Sequence, residues 1–319
     1  MEVTTRVTGS ATDQLRVLYR FMAERDFVAA KDELIANGFS DSRIKNWVRS
    51  GRLITIVRSV YSYGRDVRDL NAVWRAGLLA AGPGSALTGR SACESLDIVK
   101  AKPGLPRVVE VGSPTGQARQ FKGLSPALRN TVVKVVRRGF ESGDLQISNG
   151  LVIARAAVAL TDFAANASAR EVRFAFLEAC RLKHFGEPDL QYCYAHLAHR
   201  RGARKLRPFL RLWVPELGRT KSVYEGWFLL VWIERGYPIP KVNAKVFGVE
   251  VDIYCPERRF ALELDGHAFH SDPAQKAIDR AKQQHLESRG LEVERLPYRV
   301  FERNPAGEVD RIAREMGYC

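Results

Sequence analysis

Residues 249–270 read VEVDIYCPERRFALELDGHAFH, and this stretch decides the fold of the C-terminal part of the chain. Two β-type runs, VEVDIY and RRFALELDG, flank a turn at Pro256–Glu257–Arg258. With the turn centred there, residues pair across the hairpin when their numbers sum to about 515, which sets Asp252 opposite Glu263. Side chains alternate along a strand, so Glu263 and Asp265 share one face and Phe260, Leu262 and Leu264 the other. Asp252 is expected on the acidic side. Directly opposed carboxylates about 5 Å apart repel and destabilise a hairpin unless a cation sits between them. Hard oxygen donors of this kind suit Mg²⁺ or Mn²⁺, and such an ion polarises a phosphodiester and acidifies a water.

The flanks extend this reading. Upstream, Ser222–Val–Tyr–Glu225 opens a strongly apolar helix, GWFLLVWIERG, closed by Gly236, and VNAKVFG is a first strand. Glu225, three residues after Ser222, is placed as a capping-box partner. Downstream, Asp265–Gly266 brings His267 and His270 beside the acids as groups able to carry a proton near neutral pH. A polar helix after Pro273 carries Lys276, Asp279, Arg280 and Lys282, and LEVERL forms a last strand. The order is α, three β, α, β.

The N-terminal region has a different grammar. Residues 12–37 read as two helices with Asp26 as a cap between them and Gly38 as a stop, and FSDSRIKNWVRSGRL reads as a third, capped by Ser40 and ended by Gly51. Ile44, Trp47 and Val48 face a core, whereas Arg43, Lys45, Asn46 and Arg49 occupy the other face. LITIVRSVYSYGR then gives two short strands around Arg58–Ser59. This is the order of a winged helix-turn-helix, in which the third helix enters the DNA major groove and the wing touches the backbone. Residues 69–186 mix helices (LNAVWRAGLLAAG, ALTGRSACESLD, ASAREVRFAFLEACRL) with strand-like runs (PRVVEVG, TVVKVVRR, GLVIARA), as in a small α/β domain. The stretch 187–221 is rich in Arg and Lys and reads as a basic helical linker; Cys193, His196 and His199 within it are spread around a helix and make a poor metal set.

The whole chain therefore reads as a mixed α/β, multidomain protein: a winged helix (1–68), an α/β domain (69–186), a linker (187–221) and an αβββαβ domain (222–319). Fifty Lys and Arg against 36 Asp and Glu leave a formal charge of +14 in 319 residues, which favours a polyanionic partner. Its 45% hydrophobic content excludes a disordered tail protein. The longest apolar run, Trp227–Ile233, is far too short to span a bilayer. The N-terminal MEVTTRVTGS has no basic segment followed by an apolar one, and five scattered cysteines with no CxxC pair fit reduced thiols, so a cytoplasmic location without membrane partners is expected.

Residues 222–305, with VDIYCPERRFALELDGHAFH, DRAKQQHLESRG and VERL, resemble the Vsr-like domain of bacterial proteins related to very-short-patch repair endonucleases, within the PD-(D/E)xK nuclease superfamily. GFSDSRIKNWVRSGRLITIVRSVYSYG, with ALTGRSACESL downstream, resembles the winged-helix module and following domain of AbiEi-type antitoxins of toxin–antitoxin systems. The resemblance implies a restriction-endonuclease-like core, Mg²⁺ or Mn²⁺ held by Asp252 and Glu263 with the Leu264 carbonyl, His270 as base or water-orienting group, and Glu225 as the superfamily's helix glutamate. Asp265 departs from the pattern, which has lysine there; His270, Lys276, Arg280 or Lys282 could supply the missing cation. The expected function is a metal-dependent DNA endonuclease or nickase, with DNA held by Arg43, Lys45, Asn46, Arg49 and Arg58 of the winged helix and by Lys276, Arg280 and Lys282. The alternative is an antitoxin-like DNA-binding regulator whose nuclease fold is inactive. RNA cleavage stays open, as does a cognate toxin or antitoxin partner.

Overall fold

The computed structural model describes residues 10–101, 103–115, 118–266 and 273–318, with the side chains of 273–276 outside the description. Among these residues the chain is mixed α/β, with thirteen α-helices and three β-sheets. It divides into two compact units, Met1–Phe163 and Ala164–Cys319.

The first unit begins with α1 (Ala11–Ala23), β1 (Val28–Ala30), α2 (Lys31–Ala36), α3 (Asp41–Arg49), β2 (Leu53–Val57) and β3 (Val60–Tyr63). The Ser10 and Ser40 hydroxyls accept from the N–H groups of Asp13 and Arg43, capping α1 and α3. The three strands pair antiparallel in the order β1-β3-β2, and Leu18, Met22, Leu34, Ile44, Trp47 and Leu53 form the core beneath them. The sequence reading gave no strand before the hairpin. Residues 28–30 nevertheless pair with 60–62, because Asp26 and Phe27 take left-handed conformations (φ 52° and 57°) that turn the chain out of α1. Asp26 caps no helix: its carboxylate accepts from Asn71 and Arg75.

The same unit continues through α4 (Leu70–Ala81), β4 (Ala86–Leu87), α5 (Gly89–Ser95), β5 (Val108–Ser113), β6 (Arg119–Lys122), β7 (Val132–Arg137), β8 (Leu145–Ser148), β9 (Leu151–Ala154) and α6 (Ala156–Ala164). The strands form a mixed six-stranded sheet of order β6-β7-β5-β4-β9-β8. The Asp26–Arg75 ion pair and the Leu124 N–H bonded to the Ile56 carbonyl tie this sheet's elements to the small one. Residues 1–68 and the α/β segment after them are thus one compact unit up to Phe163.

The second unit comprises α7 (Ala169–Arg181), α8 (Glu187–His196), α9 (Ala203–Arg211), α10 (Val223–Glu234), β10 (Lys241–Val246), β11 (Val249–Cys255), β12 (Phe260–Asp265), α11 (Pro273–Glu287), β13 (Glu292–Pro297), α12 (Tyr298–Arg303) and α13 (Pro305–Glu315). Its sheet has the order β10-β11-β12-β13, antiparallel except for the parallel β12–β13 pair. The segment placed in a linker and in the tail of the preceding domain belongs here, for a reason visible in α10. That helix is apolar all round, with Tyr224 through Trp232 buried, so it must be covered on every side. The sheet and α12 cover one side, where Trp227 packs edge-on to Phe301 with centroids 5.0 Å apart. Helix α7 covers another, stacking Arg173 on Trp227 at 3.7 Å. Helix α9 in turn buries Leu206 and Leu210 and stacks Phe209 on Phe176, while Arg204, Arg207 and Arg211 stay exposed.

α7 and α10 approach closely at Gly226, where a Cβ would lie 2.9 Å from Leu177 Cδ2. Gly226→Val is expected to lower the stability of the second unit by about 1–3 kcal/mol through overpacking, read as an earlier urea transition of tryptophan fluorescence; an unchanged midpoint would contradict this packing.

Candidate active site

The β11–β12 hairpin has the anticipated register: Ile253 pairs with Leu262, Tyr254 with Ala261 and Cys255 with Phe260, each summing to 515. Pro256–Arg258 makes the turn, closed by Arg259 in the left-handed region (φ 49°). Alternation also follows the sequence. Phe260, Leu262 and Leu264 are buried, whereas Glu263 and Asp265 are half-buried. Ala261, two residues before Glu263, packs with Leu286 of α11, so the acidic face is the one beneath that helix.

The geometry around Asp252 goes beyond simple pairing. Regular pairing stops at Ile253/Leu262, and the next backbone donor, Leu264 N–H, goes to the Asp252 carboxylate at 2.7 Å. On the other side, the β10–β11 ladder is interrupted at Asn243/Asp252, between Val242↔Ile253 and Ala244↔Val251. Asn243 has φ 48° there, a conformation asparagine tolerates better than most residues. The strands thus open around Asp252, and the two carboxylates escape the face-to-face ladder position. Because N–H and C=O of one strand residue point to the same edge, the Leu264 carbonyl is directed toward β11 as well.

Glu225 is only 6% exposed. Half of the expected capping box forms: Ser222 Oγ accepts Glu225 N–H at 3.1 Å. The Glu225 carboxylate turns elsewhere, accepting from Lys221 N–H at 2.8 Å and Asn243 Nδ2 at 2.7 Å. Asn243 Nδ2 also donates to the Arg219 carbonyl, and its Oδ1 is buried without a partner among the described residues. Asn243 was not singled out in the sequence; its mark there is only that an amide interrupts an apolar strand run.

Burial pushes the Asp252 carboxyl up to about 6, and the charges of Glu263 and Glu225 add to this, against the Leu264 N–H and Lys282, which pull it down. Lys282 of α11 lies 2.7 Å from Glu263 Oε1 as an ion pair. Of the helix cations named as substitutes for the motif lysine, Lys282 is the one at the acids among the described side chains. Arg280 is exposed, and the Lys276 side chain lies outside the described residues, as do His267 and His270. Asp265 is committed elsewhere: Arg295 of β13 grips both its oxygens, at 2.7 and 3.0 Å, and also reaches Asp279 at 3.3 Å. Arg295 faces Glu263 across the parallel ladder, thirty residues beyond Asp265.

Among the described residues no group of three or more His, Cys, Asp or Glu side chains is placed to hold a metal ion. A pair of carboxylates within electrostatic reach of each other suits at most a lightly held hard cation, for Mg²⁺ is commonly bound by one or two carboxylates and completed by water and substrate. Asp252, Glu263 and the Leu264 carbonyl are the groups that would hold it. The half-buried Asp252 carboxyl is raised by desolvation first and then by the charges of Glu263 and Glu225, as happens where carboxylates lie near one another.

In the first unit, Lys45 of α3 pairs with Asp41 at 2.9 Å, Arg49 donates to Asn46 at 3.1 Å, and Arg58 is exposed at the β2–β3 turn. Lys45, Asn46 and Arg49 therefore share the exposed face of α3 and Arg58 the tip of the hairpin, whereas Arg43 is half-buried. His196 stacks on Tyr192 at 4.5 Å.

No protein-family model matches the chain. It is similar to two curated relatives from Mycobacterium tuberculosis, Uncharacterized protein MT2308 of strain CDC 1551 / Oshkosh and Uncharacterized protein Rv2248 of strain ATCC 25618 / H37Rv. Each is 27% identical over 146 residues, 43% of this chain and 52% of the relative. The chain spans about half the length of the curated relatives it matches. No helix among the described residues is long and apolar enough to cross a membrane.

The raised Asp252 carboxyl has a stability consequence. Its folded value, about 6, exceeds the ordinary 3.8, so the folded state binds the proton more tightly; the burden on stability is complete above pH 6 and disappears as pH falls toward 4. Asp252→Asn keeps an acceptor for Leu264 N–H and removes the charge. In EDTA it is expected to be more stable than the parent by about 1–3 kcal/mol at pH 8, with the difference vanishing near pH 4. A variant less stable at pH 8 would refute the site's electrostatics.

Proposed function

We propose that the protein is a metal-dependent DNA endonuclease or nickase of the Vsr-like, PD-(D/E)xK kind, joined to an AbiEi-like winged helix that holds DNA. The observation that carries this reading is Asp252 at a local opening of the sheet, held by Leu264 N–H and within electrostatic reach of Glu263 and Glu225, with Lys282 paired to Glu263. Asp252 and Glu263, with the Leu264 carbonyl, are assigned to a Mg²⁺ or Mn²⁺ ion, which when bound polarises a phosphodiester and lowers the pKa of a water. Leu264 N–H fixes Asp252, and Asn243 with Lys221 N–H fixes Glu225, so the acids are oriented before substrate arrives. Lys282 takes the part of the motif lysine, placing a positive charge where negative charge builds on a dividing phosphate. His270 keeps the role of proton carrier that the resemblance gives it.

The regulator reading draws on one specific observation: the motif-lysine position is Asp265, locked by Arg295. Supercoiled plasmid separates the two. With Mg²⁺ or Mn²⁺ the parent is expected to nick or linearise it, EDTA to stop the reaction, Asp252→Asn to abolish it without loss of DNA affinity, and Lys282→Ala to slow it about 10²–10³-fold. Plasmid left intact by a parent that binds DNA would favour the regulator.

For the α3 face, Arg43, Lys45 and Arg49 replaced together by glutamine are expected to weaken duplex DNA binding and flatten its salt dependence. Unchanged affinity would remove α3 as the DNA reader.

A further inference from the structure

The acidic site shares a wall with a groove of opposite character in the same unit. This groove, about 590 Å³, is lined by the end of α7, the segment before α10 and β10. Of its cations, Arg181 is bound bidentately by Glu178 and Lys221 is paired with Glu250. Lys183, Arg219 and Lys241 are exposed and have no carboxylate partner among the described residues. Asn243 joins the two places: its amide binds the backbone carbonyl of Arg219 in the groove and the Glu225 carboxylate in the site.

Lys183 stands out by its backbone. It follows α7 in the left-handed region, φ 61°, where His184 N–H returns to the Ala179 carbonyl. Glycine or asparagine normally fills that position, since a Cβ makes it unfavourable. The chain thus keeps a lysine where glycine would serve the turn better, and the lysine lines the groove. A cluster of acids repels a phosphodiester, so positive charge nearby is needed to bring one in.

We infer that Lys183, Arg219 and Lys241 form a seat for a backbone phosphate of the DNA strand, next to the phosphodiester presented to the acids; this rests on the nuclease reading above. The seat takes phosphate without regard to base, because charge attraction to the backbone carries no sequence information.

Binding of a labelled 20-base-pair duplex to the full chain, in EDTA and across a KCl series, tests the seat apart from catalysis. The triple variant Lys183→Gly, Arg219→Gln, Lys241→Gln is expected to lower the salt slope by about 2–3 and to weaken binding at least tenfold at 0.1 M salt. Lys183→Gly alone is expected to lower the slope by about 1 while its melting temperature stays equal or rises. A control triple of exposed cations from the first unit, Arg107→Gln, Lys122→Gln, Arg129→Gln, is expected to leave the slope unchanged. An unchanged slope in the groove triple, an equal fall in both triples, or no DNA binding by the parent would overturn the seat. Failure of the parent to nick plasmid, with these binding results intact, would remove the nuclease reading and leave the phosphate seat standing.

Discussion

The carboxyl of Asp252, set at an opening in a sheet within electrostatic reach of Glu263 and Glu225, is the constraint on which the second unit turns. Asp252 is held there by Leu264 N–H, and Glu225 is buried and held by Asn243 and Lys221 N–H. Glu263 has Lys282 as its counter-charge. Burial, with the charges of Glu263 and Glu225, pushes the Asp252 carboxyl up to about 6, which is costly for stability at neutral pH. The interrupted pairing on both edges of Asp252 is the structural form that cost takes.

The rest of the unit provides the rigidity that such a site demands. α10, apolar all round, is wedged between α7 and the α12 side, and its first turn carries Glu225. The aromatic packing of Tyr224, Trp227 and Phe301 therefore fixes where that carboxylate stands, and the Tyr224 hydroxyl donates to the Leu296 carbonyl of β13. The helices before Ser222 are part of this scaffold rather than a tether, since without them the α7-facing side of α10 would be bare.

Much of this was legible in the sequence, because it depends on local rules. The turn at Pro256–Arg258 fixed the hairpin register, alternation gave the acidic face, Ser40 and Ser222 announced helix starts, and the order α10-β10-β11-β12-α11-β13 followed from periodicity, whereas helices α12 and α13 after it were not read. What escaped depends on partners far apart along the chain or on short elements. Strands β1, β4, β6 and β8 have two to four residues and too little periodicity to read. Nothing local in LEVERL shows that Arg295 would clasp Asp265, nor in VNAKVFG that Asn243 would bridge Glu225 and Arg219. Lys282 stood among four candidates in the sequence, and only the path of α11 over the sheet shows its contact with Glu263.

The most direct measurement is thermal unfolding of the parent and of Asp252→Asn during titration with Mn²⁺ at pH 8. If the acids form a cation site, saturating metal should raise the parent's melting temperature by several degrees, as expected for about 2–3 kcal/mol of linked binding, and leave the variant unmoved. A parent unresponsive to millimolar metal, or equal rises in both proteins, would contradict the site.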